Sequence, residues 1–391
     1  MGEEDTLEYV SATLCRPKEE VLPLALVLQS KTAGNPFYMR EMLRTCHRKK
    51  CIWHDYKENK WKFDLDRLFE QFQGEQNYDV LNTDFITRRM DELPPASRAI
   101  LAWAALLGHS FSFELICRLL AGEFDYGDEM HPDPGCSHLL LQRVYTQAEA
   151  VDGLQAAIQA YILVPGEKDD QFRFAHDRYV QASGGLKECN PRKMHFVIAQ
   201  TLLKYYEGEA RFRDNAASHI CESVDIIKRR VPRRQAYRKL LISCGHGAGE
   251  KGARSTAAKY YSNAVSLLQP DPWDDSAEDV SYDETNQLYL RAAECYLYMG
   301  QHALANQVLG NIFDCAKTAL DKAPAWVLQS RTFAQNGDAT QALKSLRDCL
   351  KALDIDLDEH PTFEKCDAEF ERISVKIQTM DRNDILSPPR V

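Results

Sequence analysis

Leu241-Ile-Ser-Cys-Gly245-His-Gly-Ala-Gly-Glu-Lys-Gly252-Ala-Arg-Ser-Thr-Ala257-Ala-Lys-Tyr-Tyr261 is the stretch whose reading decides the fold. Around Gly252 it sets a large residue eleven positions earlier (Leu241) and a small one seven earlier (Gly245). Alanine follows five positions later (Ala257) and a large residue nine later (Tyr261). The pattern recurs around Gly300 as Tyr289, Ala293, Ala305 and Leu309, and around Gly337 as Trp326, Ser330, Ala342 and Leu346. Each glycine closes a helix-like run. Two helices that cross closely need small residues at the contact, and large ones fill the space between successive pairs.

The chain from 201 to 380 is therefore predicted to be a degenerate, tetratricopeptide-like α-solenoid. The glycine spacings are 48 and 37 residues, against roughly 34 in the regular repeat. The first gap holds an acidic insertion, Asp271 to Glu284. After the third unit, Phe363, Cys366, Phe370, Ile373 and Ile377 recur at three- and four-residue intervals. A helix over 362–380 is expected to pack one side on that unit and leave its remaining apolar surface open. From this we expect further sequence downstream, and self-association of the 391-residue chain through this end. Residues 381–391, with Pro388-Pro389, read as a disordered tail.

Upstream the chain stays mainly α. Over 84–200, four helical patterns, the third at Phe113–Leu120 and the last at Gln147–Tyr161, are followed by a hairpin near 161–174, with Pro95 suited to a first helical turn and Gly108 to a helix end. Helix-helix-helix-hairpin is a winged-helix order. Residues 66–83 are polar and read as a linker. Residues 1–65 hold three helices, broken at Gly34-Asn35-Pro36, and a short hairpin near 51–64.

Composition narrows the function. The 391 residues are enough for two or three cores, and no apolar run approaches the roughly 18 residues needed to span a bilayer. Twelve cysteines scattered along the chain read as free thiols of a reducing compartment, and the expected location is cytoplasmic. A net charge of −10 disfavours nucleic acid. The recognition helix of a DNA-reading winged helix would fall at Gln147–Tyr161, which carries Glu149 and Asp152 and no lysine or arginine, so phosphates would repel it. Lys228-Arg-Arg-Val-Pro-Arg-Arg-Gln-Ala-Tyr-Arg-Lys239 reads as a solvated connection, with a nuclear localisation signal or an anion-binding patch as the alternatives. Cys46, His47, Cys51 and His54 lack the paired spacing of a zinc site, and His195 and His219 read as structural.

No window carries Gly-x-x-x-x-Gly-Lys-Ser/Thr, so there is no phosphate-binding loop. Two other segments stand out, Thr32-Ala-Gly34-Asn-Pro36-Phe-Tyr38 and Phe172-Arg-Phe-Ala-His176-Asp177-Arg178. On their own they read as a turn between helices and as a helix start, where Asp177 would cap. With the order helices, winged helix, repeats, the chain resembles the signal-transduction ATPases with numerous domains. More closely it resembles the ATPase-plus-repeat segment of large fungal and bacterial hybrid histidine kinases, which often follows a protein-kinase-like domain. The resemblance implies that residues 1–65 are the ATPase lid, with Gly34 and Pro36 against the nucleotide base. It implies that His176, beside Asp177, contacts the terminal phosphate of bound ADP.

The Walker and sensor residues are absent, so the chain by itself is expected not to hydrolyse ATP, and ATP or ADP enters only with an ATPase core supplied elsewhere. The expected role is regulatory, with protein partners taken by the repeats. A free-standing repeat scaffold that binds partner proteins is the alternative, and a winged-helix DNA-binding regulator the third reading.

Overall fold

The computed structural model of the chain describes residues 1–72, 84–124, 143–184, 191–274, 276–355, 357–358 and 361–380. These are mainly α-helical, with short strands in two small antiparallel sheets. The chain divides into two compact units, one of 1–122 and 132–189, the other of 123–131 and 190–391. No helix among the described residues is long and apolar enough to cross a membrane.

The first unit opens with α1 (Glu3–Leu14), α2 (Lys18–Thr32) and α3 (Pro36–Arg48), then β1 (Ile52–Asp55) and β2 (Lys60–Phe63), then α4 (Leu65–Phe72). Val10, Leu24, Leu28, Met39, Met42 and Cys46 recur at helical spacing on the buried faces of the first three helices, and Ile52 and Leu68 close the same core. The segment 66–83 thus begins as helix, not linker. Its polar composition conceals a one-sided pattern in which, among the described side chains, Leu68 is buried, with Leu65 just ahead of it packed partly on the same core. Residues 73–83 lie outside the described residues.

The rest of this unit comprises α5 (Asp84–Asp91), α6 (Pro95–Leu107), β3 (Ser110–Ser112) and α7 (Phe113–Leu120). After residues that are not described come α8 (Gln147–Gln159), β4 (Leu163–Pro165), β5 (Gln171–Phe174) and α9 (Asp177–Gly184). Helix α6 is buried through Ile100, Leu101, Trp103 and Ala104. Helix α8 crosses it closely: a Cβ on Gly153 would lie 2.9 Å from Ala96 Cβ and from Ser97 N, and Ser97 Oγ donates to Gly153 O at 2.7 Å. The hairpin expected near 161–174 is β4 and β5, and β3 joins it in the order β3-β5-β4. A three-residue strand is too short to show alternation, so β3 left no sequence signal.

The second unit is a succession of helical hairpins. They are α10 (Pro191–Tyr205) with α11 (Ala210–Arg230), α12 (Gln235–Glu250) with α13 (Arg254–Ser266), α14 (Tyr282–Tyr298) with α15 (His302–Cys315), and α16 (Ala319–Gln335) with α17 (Ala339–Ala352). Gly252, Gly300 and Gly337 occupy the last three turns at φ +76°, +71° and +81°, a region that side-chain-bearing residues avoid. A Cβ on Gly245 would stand 3.1 Å from the Tyr261 ring, so the small and large positions of one unit face each other.

The first hairpin escaped the sequence reading. Its turn glycine, Gly208, has φ +94°, and Val197, Thr201 and Ala217 at the matching offsets are buried. Arg213, however, stands where the other units have alanine. Because α10 belongs to the second unit, the expected boundary at 200 cuts through a helix.

Two further expectations are corrected. The basic run 228–239 is not simply solvated, since Arg238 is wholly buried and paired with Asp279 and Glu284 of the acidic insertion. The last helix, α18 (Phe363–Thr379), starts at Thr362, which accepts from Lys365 N at 3.4 Å, but none of its residues is buried, so it does not pack on the third unit.

Candidate functional site at the start of helix α3

The two segments singled out above meet inside the first unit. Asn35 caps α3, its side chain accepting from Phe37 N at 3.0 Å and Tyr38 N at 3.5 Å, and Pro36 fills the first helical position. The cap aims the Phe37 side chain at the loop before α9. Its ring lies 3.9 Å from the His176 ring at an interplanar angle of 22°, and it meets the Tyr179 ring edge-on at 5.4 Å. Gly34, at φ +71°, forms the turn ahead of the cap. Pro36 is exposed and His176 half-buried.

His176 Nδ1 accepts from Arg178 N at 3.1 Å, so His176, not Asp177, makes the side-chain hydrogen bond at the start of α9. With Nδ1 accepting, the neutral ring carries its proton on Nε2. Burial pushes the His176 pKa below its ordinary value, and the Arg40 and Arg178 cations push the same way, against Asp177. Asp177 is exposed and lies 3.2 Å from His109 Nδ1.

Beneath this contact lies an ionic layer. Glu41 of α3 is 1% exposed and pairs with Arg89 of α5, itself 6% exposed. Arg44 Nη1 donates to Glu41 at 2.9 Å, and its guanidinium lies over the Tyr161 ring at 4.4 Å. Arg89 also donates to Tyr179 Oη at 3.1 Å and to Ala160 O. Burial raises the Tyr179 phenol, with Arg89 opposing the shift. Tyr38, Glu41, Met42 and Thr45 share one of the buried faces of α3, and Ile86, Arg89 and Met90 are buried on α5. One charge of each sign on two apolar stripes is a readable signal of a buried pair.

The remaining sequence candidates are placed as follows. Cys46 and Cys51 are buried, and His47 and His54 contact the Trp61 ring edge-on at 5.4 and 5.3 Å. No three His, Cys, Asp or Glu side chains among the described residues could hold a metal ion. His195 and His219 approach to 2.6 Å between their Nδ1 atoms. In the second unit, a groove of about 370 Å³ is lined by Gly245, Gly249, Arg254, Tyr261, Arg291 and Tyr298.

Comparison with known proteins points to one kind of relative. The chain is 24% identical over 353 residues to the peroxide stress-activated histidine kinase mak3 of Schizosaccharomyces pombe, covering 90% of this chain and 14% of that protein. It is 22% identical over 378 residues to mak2 of the same organism, covering 96% and 15%. The hybrid signal transduction histidine kinase G of Dictyostelium discoideum is 26% identical over 107 residues, covering 27% and 3%. No family model and no solved structure matches. The chain is thus related, at low identity, to a segment of signalling histidine kinases, and it spans only about a seventh of the length of the first two.

Proposed function

We propose that this chain is a non-catalytic regulatory segment of a hybrid-histidine-kinase-type signalling protein. The first unit is read as an ATPase lid (1–65) followed by a winged-helix-like region used for packing, the second as a tetratricopeptide-like surface for protein partners. The observation that carries the reading is the Phe37–His176 stack, which joins the lid segment to the loop ahead of α9 within one unit. Coupling of a partner surface to an ATPase core supplied elsewhere needs such a joint, because only a contact with two arrangements can pass a state on. In this reading Gly34, Pro36, His176 and Asp177 face nucleotide when that core is present. His176 has its Nε2–H as the donor to a phosphate oxygen.

The peroxide named for the two fission-yeast relatives is not assigned to the buried thiols Cys46 and Cys244 or to the half-buried Cys221 and Cys295. Burial raises Cys46 and Cys244 to about 12 and Cys221 and Cys295 to about 11, and peroxide reacts with thiolate.

The test is to exchange the matched segment of mak3 for this chain and measure peroxide signalling in cells. Retained signalling that Phe37→Ala or His176→Ala abolishes, with protein levels unchanged, is the expected result. Signalling indifferent to both substitutions would remove the coupling role. The purified chain should show no ATP hydrolysis above buffer.

The second reading, a scaffold that binds partner proteins, is favoured by the groove beside Arg254 and Arg291. It gains if the chain captures partners while the exchange has no effect on signalling. Helix α8, without a lysine or arginine, disfavours duplex DNA.

A further inference from the structure

Helix α18 is solvated on every side. Phe363 is 81% exposed, Phe370 71%, Ile377 52%, Ile373 44% and Met380, just past the helix end, 41%; Cys366 is exposed too. The steps between Phe363, Cys366, Phe370, Ile373, Ile377 and Met380 are three, four, three, four and three. This is a strict heptad seam, with these residues at alternating a and d positions. Helices that face a globular core, such as α6, show a wider apolar surface instead. A narrow seam asks for another helix with the same repeat.

The flanks say which helix. With Phe363 at a, Glu369 and Lys376 occupy g positions and Asp367 and Ser374 occupy e positions. In a parallel pair, the g residue Glu369 would face the uncharged Ser374. In an antiparallel pair of identical helices, Glu369 of each copy faces Lys376 of the other, giving two complementary contacts. The same register sets Phe363 over Met380, Cys366 over Ile377 and Phe370 over Ile373, each twice, so all six seam residues are covered with none left over. Among the described residues Glu369 is engaged by Arg372 on its own exposed surface, a pair that is weak and easily exchanged.

We infer that α18 is a self-association element whose occupant is α18 of a second copy, packed antiparallel about a two-fold axis. The inference is independent of the proposed function, since it concerns neither nucleotide nor repeat groove. At about two and a half heptads the seam is shorter than the roughly three to four that mark a free-standing coiled coil. The dimer is therefore weak and concentration-dependent.

Sedimentation of the 391-residue chain at low and high protein concentration is the test, with circular dichroism as the control for folding. Expected is a reversible monomer–dimer equilibrium that Phe370→Glu removes at every concentration. Glu369→Lys and Lys376→Glu should each weaken the dimer by roughly tenfold, and the double exchange should restore it. Under mild oxidation, Ile377→Cys should join covalently to Cys366 of the second copy. A monomer at all concentrations would overturn the inference, whether α18 then folds back on its own chain or waits for a different partner. So would assembly indifferent to Phe370→Glu. A disulfide between the two Cys366 residues of the unaltered chain would place the helices parallel and overturn the register.

Discussion

Arg238 and Asp279, 41 residues apart, form an ion pair in which both side chains are out of water, at 0% and 2% exposure. The guanidinium donates to the Asp279 carboxylate, to the Asp279 carbonyl and, at 3.1 Å, to Glu284. The other carboxylate oxygen of Asp279 accepts from Arg234 N at 2.8 Å and Gln235 N at 3.0 Å, satisfying backbone donors at the start of α12. The acidic insertion is thus the counter-charge of the basic run that precedes it by some forty residues.

Asp279→Ala should destabilise the second unit by about 3–5 kcal/mol, because it strands a buried guanidinium and bares the α12 start. Replacing both partners by apolar residues, as Arg238→Met with Asp279→Leu, should cost less than the single change. Denaturant unfolding of the three proteins decides the order. A single substitution as mild as the double would mean that water already reaches Arg238.

Arg89→Met should cost the first unit less, about 1–3 kcal/mol, since Glu41 at 1% exposure loses its buried partner but keeps Arg44 and Arg40. Adding Glu41→Gln should recover part of the loss. Thermal melts of single and double variants measure the coupling, and strict additivity would show that the two side chains do not depend on each other.

Phe37→Ala should let the His176 pKa rise toward its ordinary value, because the ring that covers it is the nearest contributor to its burial. Arg40→Ala should move it the same way, and Asp177→Asn the opposite way. An NMR titration of the imidazole reads all three. An unaltered titration in Phe37→Ala would mean that the stack does not exclude water.

His219 supplies a pH dependence. Burial holds its pKa down at about 3, with the neighbouring His195 adding to the shift. In the unfolded chain the ring takes a proton near pH 6.5, so below that the unfolded state binds more protons than the folded one. Stability is full above pH 6.5 and falls as the pH drops toward 3, by at most about 1.4 kcal/mol per unit from this one ring. In His219→Gln the slope over that interval should flatten. Equal slopes in the two proteins would show that His219 is protonated in the fold.

Much of the helical framework is readable where a residue type has one physical use. Gly252, Gly300 and Gly337 mark turns because positive φ excludes most alternatives, and Ala257 and Ala305 mark crossings because nothing larger fits. The hairpin at Gly208 was lost because Arg213 departs from that pattern, and α4 was lost because, among its described side chains, Leu68 and the partly buried Leu65 are the ones that reach the core. At the candidate site, Gly34-Asn35-Pro36 and His176 could be picked out by eye. The layer of Glu41, Arg44, Arg89 and Tyr179 was passed over: Glu41 and Arg44 share α3, but Arg89 and Tyr179 stand on other helices, and the lone charge on each apolar stripe marks a pair only when the two stripes are set side by side. The basic run was misread for a related reason: 228–239 looks solvated when taken alone, and its pairing with Asp279 and Glu284 exists only in the folded unit.

Burial across the second unit is uneven along the chain. Leu241, Ala264 and Leu267 near its first half are at 0%, whereas the buried residues of α17 are Ala342 at 8%, Ser345 at 4% and Cys349 at 7%, with Leu343 and Leu346 half in water. In a row of hairpins, where each leans chiefly on its neighbours, the last member opens at the smallest cost. Amide protons of α16 and α17 should therefore exchange with solvent well before those of α12 and α13. Fraying would start at one end and advance hairpin by hairpin, so this unit melts directionally instead of all at once.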